Sequence, residues 1–370
     1  MLALSTHHVA AQVLSQRDAR RIARFAAAAD AGGFLHPVQQ ALIHHRGWLR
    51  FLAPQAAGGA EVALPAMVRL EEQLASVDGS LAWVVTLCAG AGWFAGFLPP
   101  ALAKEIVGTK RVCAAGSGAP TGYADIEGDG YRLSGKWDYA SGAPMGTHFT
   151  LNAIIRERGH AVLDDAGVPR IRAFIVPASE VQVVPSWHSV GLRASASHSY
   201  RIDGRWVAAA HSFLIDAAHA SAAGPLYRFP FYSLAFVTLA ANLAGMAGHF
   251  LRLAQPSIAR RRQPLTGLPL LEAPGVAARL HGAVADLEAA RTHFYGLLDS
   301  AWEQVAGGAA LDSAETAALQ QASLALVAVA RQGVDEVYPY CGLYAASAQS
   351  DINRVWRDFH TATQHTLLLA

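Results

Sequence analysis

Residues 116–142 read GSGAPTGYADIEGDGYRLSGKWDYASG, and they decide the fold because the period of the chain changes within them. Gly128 to Gly130 mark a turn, after which Tyr131 and Leu133 alternate with polar residues, the spacing of a strand with one buried face. HFTLNAII at 148–155 and IRAFIVP at 171–177 extend the β-rich pattern, each bounded by polar or proline-containing segments. Outward on both sides the period becomes that of helices. Upstream, residues 8–112 hold Ala-rich segments, such as Ala11 to Asp30 and Ala66 to Ser76, with apolar groups three and four apart, interrupted at 54–61 and 99–100. Downstream of Gly224, Pro225 and Pro230, four long Ala/Leu-rich segments follow at 233–255, 274–304, 313–338 and 343–366. Short connections between four such segments predict a helical bundle. The expectation is an α+β chain: an N-terminal helical domain over 1–111, a middle β domain over 112–215 and a C-terminal helical bundle over 216–370.

Composition narrows what such a chain does. With 370 residues it can build more than one core, and 52% hydrophobic against 15% charged residues leaves apolar surface to hide. A large interface between copies is the natural place for it. A net charge of +1 gives no reason to expect a nucleic acid, and Arg260, Arg261 and Arg262 form too short a run to change that. The first 25 residues lack a basic start followed by a continuous apolar run, and the other apolar tracts are interrupted, so neither a secretory signal nor a membrane span is expected. Cys88, Cys113 and Cys341 lack metal-ligand or disulfide-framework spacing and read as buried thiols of a reducing compartment; no metal site is expected.

Three stretches carry chemistry. In SGKWDYASG, strand alternation would set Trp137, Tyr139 and Ser141 on one face, two rings and a hydroxyl. That suits a planar cofactor, and equally an aromatic core stripe ending in a turn serine. In WHSVGLRASASHSYRI (187–202), Gly191 and the small residues 194–197 would let backbone approach a ligand while Arg193 supplies a charged donor; a solvated connection between strands reads the same way. The last segment crowds Arg354, Trp356, Arg357, Asp358, His360 and His365 together, a costly mixture to bury without partners, so it closes a subunit interface or faces a polar cavity. On one helix, His360 and His365 would stand about 140° apart and would not pair.

Taken with their order along the chain, GSGAPTGYADIEGDGYRLSGKWDYASG, SWHSVGLRASASHS (186–199) and INRVWRDFHTATQH (352–365) resemble the acyl-CoA dehydrogenase superfamily. More narrowly they resemble its two-component flavin-dependent monooxygenases. The resemblance implies the acyl-CoA dehydrogenase-like fold, with an N-terminal helical domain, a middle β-barrel domain and a C-terminal four-helix bundle. It also implies reduced FMN or FAD supplied by a separate NAD(P)H-dependent flavin reductase, dioxygen, and a small aromatic or apolar substrate. A cytoplasmic homotetramer is implied as well. By the same resemblance His365, eight residues after Arg357, and Ser141 are the catalytic candidates. Trp137, Tyr139, Ser141, Arg193, Ser195 and Ser197 would line the cofactor, and Trp83 and Trp93 the substrate. A phosphate-binding Gly-x-Gly-x-x-Gly in a strand-turn-helix context is missing, which agrees with an external reductase.

Departures from the pattern matter. Where the dehydrogenases carry a glutamate base the chain has Tyr340 or Cys341, with Glu336 on another helical phase, so thioester oxidation is the alternative reading. Small residues replace the usual Gly-Thr-Gly after Arg193, His148 is displaced and Met145 enters the region after Ser141, which leaves a scaffold without flavin chemistry as a third reading.

Overall fold

The computed structural model describes residues 14–369. The part of the expected first helical run that precedes residue 14, and the targeting reading of the N-terminus that depends on it, lie outside the described residues. Ser15 starts the first helix, α1 (Gln16–Gly32), by accepting the backbone N–H of Asp18, and Gly33 ends it in the left-handed conformation. Helices α2 (Pro37–Arg46), α3 (Leu64–Ala75), α4 (Gly79–Trp93) and α5 (Pro100–Gly108) follow. Asp78 caps α4 by accepting Leu81 N–H. The helix is apolar around most of its circumference and accordingly is buried on nearly every side.

Strands occupy residues 114–213: β1 (Ala114–Gly116), β2 (Gly122–Glu127), β3 (Gly130–Ala140), β4 (His148–Glu157), β5 (His160–Ala161), β6 (Ile171–Pro177), β7 (Gln182–Val184), β8 (His198–Ala208) and β9 (Ser212–Phe213). They form one mixed sheet in the order β7-β8-β3-β2-β4-β6-β9, with β1 and β5 both paired to β4. The expected β-barrel is not formed. Closure requires the two outer strands to pair, but β7 bonds only to β8 and β9 only to β6. These edges are three and two residues long, so few backbone groups are left for pairing.

Four helices complete the chain: α6 (Phe231–Ala259), α7 (Val276–Ala306), α8 (Ser313–Cys341) and α10 (Asp351–Ala362), with the single turn α9 (Leu343–Ala346) before the last. Asp312 and Glu315 cap α8 reciprocally, and the turn at 347–350, between α9 and α10, breaks the expected run over 343–366 in two. The segment Gly79–Phe97 and helix α6 are long and apolar enough to cross a membrane, yet 78% and 83% of their most apolar windows are buried within the fold. They are the central helices of the core. That core runs through the helices to the inner face of the sheet at Ala173, Ile175 and Phe213, while a second, smaller core is enclosed on the sheet's other face by Leu133, Trp137, Phe149, Phe174 and Tyr200.

Candidate functional site

Strand β3 does not keep the alternation its sequence predicts. Its register against β8 shifts between Trp137 and Ala140, and within the bulge Tyr139 adopts φ +67°, in the left-handed region. Trp137 and Tyr139 therefore do not share a face. Trp137 turns into the smaller core, stacks on Tyr200 at 5.5 Å and donates its indole N–H to Asn152 O at 2.8 Å. Tyr139 is turned out, 71% exposed, with Trp187 set edge-on to it at 6.2 Å.

Ser141 directly follows the strand and is buried. Its Oγ lies 2.9 Å from Ser197 Oγ, which lies 2.7 Å from Ser195 Oγ, and Gly142 N–H donates to Ser195 O at 2.8 Å. Three hydroxyls in a row have three protons but only two internal contacts, so the row retains one proton to donate. Gly142 is required at this turn: its φ is +73°, and a Cβ would sit 3.1 Å from Cys88 Sγ and 3.2 Å from Val84 Cγ1. The turn thus rests directly on α4.

The second half of the hydroxyl row comes from a strained turn. Leu192 and Ala196, both non-glycine, have positive φ on either side of the 3₁₀ turn Arg193–Ser195. Helix α10 holds it in place. Asp358 Oδ1 accepts Leu192 N–H at 2.6 Å, and Arg357 Nη1 donates to Val190 O at 2.6 Å. Gly191 is packed so closely that a Cβ would meet Arg357 O at 2.0 Å. Arg357 pairs with Asp30 of α1 at 2.7 Å. Burial, reinforced by the Asp78 carboxylate, pushes Asp358 up to about 8, so its carboxyl is largely protonated near neutrality.

His365 lies beyond the end of α10, which stops at Ala362, rather than on the helix as the sequence suggests. It caps the final short turn, its Nδ1 accepting Leu367 N–H at 3.3 Å. The proton of the neutral ring is thereby assigned to Nε2. Burial lowers the imidazole's pKa, so it presents a neutral N–H donor. The ring stands edge-on to Trp83 of α4, 6.0 Å between centroids. Helix α4 thus carries both halves of the site within two turns: Trp83 against His365, and Val84 and Cys88 against the Ser141–Gly142 turn.

The remaining candidates separate. Arg193 is exposed, with no side-chain hydrogen bond or ion pair among the described residues. Trp93 lies at the other end of α4, bonded through its indole N–H to Leu226 O, and lines a cavity of about 910 Å³ with Phe97, Tyr227, Phe229, Phe231 and Phe236. His360 sits against Trp356 at 4.5 Å and Asp335 at 3.2 Å, away from His365. Sequence reasoning missed Asp30, the partner that Arg357 needs; a carboxylate 327 residues away gives no local signal. It also missed that Cys88 and Cys113 meet: the neighbouring Cys113 thiol, and then burial, push the Cys88 thiol well above its ordinary range, and Cys88 Sγ donates to Ser141 O at 3.4 Å. Among the described residues no His, Cys, Asp and Glu side chains cluster to hold a metal ion.

This architecture has known counterparts. Residues 237–369 match the family model described as acyl-CoA dehydrogenase, C-terminal domain. Indole-3-acetate monooxygenase of Pseudomonas putida is 27% identical over 325 residues, 87% of this chain and 81% of that protein. The flavin-dependent monooxygenase oxygenase subunit HsaA of Mycobacterium tuberculosis is 24% identical over 86% of this chain and 82% of its own length. XiaF from Streptomyces sp., solved in complex with FADH2 and glycerol, superposes with a TM-score of 0.86 at 21% identity, covering 95% of this chain and 89% of that one. The chain has the acyl-CoA dehydrogenase-like fold and resembles the two-component flavin-dependent monooxygenases built on it.

Proposed function

We propose that the protein is the oxygenase component of a two-component flavin-dependent monooxygenase, which takes reduced FMN or FAD from a separate NAD(P)H-dependent reductase and uses dioxygen to oxygenate a small aromatic or apolar molecule. The observation that carries the reading is the convergence on α4 of a buried hydroxyl row with a proton to spare and of a neutral imidazole whose Nε2–H is free to donate. The residues present fit a flavin. Tyr139 offers an exposed ring, Arg193 an exposed guanidinium for an anionic or carbonyl group, and the row ending at Ser141 a donor for a ring heteroatom. Trp137 is left out of this set, since it lies in the core.

When bound, a reduced flavin would supply the reaction with dioxygen and the oxygen atom to be transferred. The protein's own groups do the rest. With Nδ1 occupied by Leu367 N–H, His365 acts as a donor to developing negative charge at oxygen rather than as a base. Ser141 holds and orients from the opposite flank, its hydroxyl positioned by Ser197. Trp83 forms an apolar wall beside the imidazole, and the Leu192–Ser197 turn, clamped by α10, keeps water from the hydroxyl row. Thioester oxidation is disfavoured because Tyr340 and Cys341 offer no carboxylate, and burial pushes the Cys341 thiol up to about 12.

We extend the reading to a cytoplasmic homotetramer, supported by the apolar composition and by Leu265, Leu343 and Tyr344, which stand exposed beside the bundle. The test of function is a reductase-coupled assay with labelled dioxygen and a panel of phenols and indoles. Label entering an organic product, with hydrogen peroxide the minor outcome, is the expected result. Exclusive peroxide formation across the panel, or flavin reduction by an acyl-CoA without oxygen, would overturn it.

A further inference from the structure

The peptide unit that joins Ser141 to Gly142 is held at both of its polar atoms, by two different parts of the chain. Its N–H, on Gly142, donates to Ser195 O at 2.8 Å. Its carbonyl oxygen, on Ser141, accepts from Cys88 Sγ at 3.4 Å, and Cys88 is the one donor to that oxygen among the described residues. The first hold comes from the turn clamped by α10. The second comes from α4, the helix that also carries Trp83. Because a peptide unit is planar, fixing both polar atoms fixes the plane, and the Cα that bears the Ser141 hydroxyl lies in it.

A second thiol completes the support. Cys88 and Cys113 are both buried and unlinked, and a Cβ on Gly142 would stand 3.1 Å from Cys88 Sγ and 3.9 Å from Cys113 Sγ, so both sulfurs lie against the same turn. Cys113 also anchors the far end of the segment that starts at Ser141. Its backbone N–H donates to Thr147 Oγ1 at 3.0 Å, and its carbonyl accepts Thr147 N–H at 2.8 Å and His148 N–H at 3.2 Å. The neighbouring Cys113 thiol, and then burial, keep Cys88 a thiol rather than a thiolate near neutrality, so it has a proton to give. Without that proton a buried carbonyl would be left with no partner, the costly half of a broken hydrogen bond.

We propose that Cys88 is a positioning residue for the reaction at Ser141: its S–H, donated to the Ser141 carbonyl, sets the tilt of the Ser141–Gly142 peptide and so aims the hydroxyl row. The consequence for oxygen transfer rests on the monooxygenase reading, whereas the hydrogen bond and its effect on the turn are read without flavin. Infrared absorption of flavin-free protein in the S–H stretching region, native minus Cys88→Ala, isolates the Cys88 band, which lies at lower frequency than that of a free thiol. Hydrogen–deuterium exchange over 139–147 is faster in Cys88→Ala and returns toward the native rate in Cys88→Ser. In the reductase-coupled assay Cys88→Ala lowers the product formed per reduced flavin by about fivefold and raises peroxide to match, while Cys88→Ser, which keeps a donor, loses less than about twofold. Packing alone would make the two variants alike, because each removes the sulfur and leaves a similar void. The inference fails if the Cys88 band lies at the free-thiol frequency, or if Cys88→Ser and Cys88→Ala exchange at the same rate over 139–147. Equal product yields from the two variants, with native protein active, would overturn it as well. Failure of the native protein to oxygenate any substrate would instead count against the function alone, since the band and the exchange rates still decide whether Cys88 holds the turn.

Discussion

Replacing Asp358 with asparagine tests the arrangement that clamps the hydroxyl row. Asp358 is wholly enclosed, accepts Leu192 N–H, and faces the Asp78 and Asp30 carboxylates on the repulsive side and Arg354 on the attractive one. Its carboxyl is moved from 3.8 to about 8. The unfolded chain therefore ionises first, the native state holds the extra proton, and stability falls as pH rises from about 4 to about 8. At about 1.36 kcal/mol per unit, the two units between about pH 5.5 and pH 7.5 correspond to a loss of about 2.7 kcal/mol from this one group. Hydration of the site and its coupling to Asp78 reduce that to about 1–2 kcal/mol. Asp358→Asn retains the oxygen that accepts Leu192 N–H and cannot ionise, so the variant should gain stability over the native protein by that amount as pH is raised across the window. Urea unfolding of both proteins at the two pH values gives the double difference, in which groups unaffected by the substitution cancel. A double difference below about 0.5 kcal/mol would refute a protonated Asp358.

Further outcomes follow from the geometry. Asp30→Ala strands the nearly buried Arg357 guanidinium and should cost about 2–4 kcal/mol in chemical unfolding, with loss of flavin binding as the Gly191–Ser197 turn loosens. Trp137→Phe should cost about 1–2 kcal/mol by leaving Asn152 O without its indole donor, while flavin affinity stays the same; Tyr139→Ala should do the reverse, changing stability by less than about 0.5 kcal/mol and weakening flavin binding in a fluorescence titration. Ser141→Ala should lower product formation about 10–100-fold and leave the melting temperature within a few degrees, measured in the reductase-coupled assay. Burial depresses His365, so its native pKa lies below 6.5; its contribution to stability is complete above that value and declines as pH falls through the native pKa, and oxygenation should be flat above about pH 7 and decline in the same acid range, whereas His365→Ala should raise the peroxide fraction at every pH.

The sequence by itself determined the elements and their order. The change from a four-residue to a two-residue period near Val112 and back after Phe213 is written locally, because helices and strands bury one face each and the apolar residues must follow that face. It also pointed to Ser141, Trp83 and His365, which the fold does bring to one helix. What it could not decide was how the elements close upon one another. Two edge strands that do not pair with each other keep the sheet open where a barrel was expected. A single bulge at Tyr139 takes that ring off the face that Trp137 occupies, because one extra residue inverts the side chains that follow. The helix ends at Ala362, so His365 is positioned by a capping bond instead of by helical phase. Arg357 finds Asp30 across the whole chain. Period and propensity act over a few residues and are visible in them; partners, voids and the charge state of a buried carboxyl arise from groups distant in sequence, and only the packed tertiary structure brings those together.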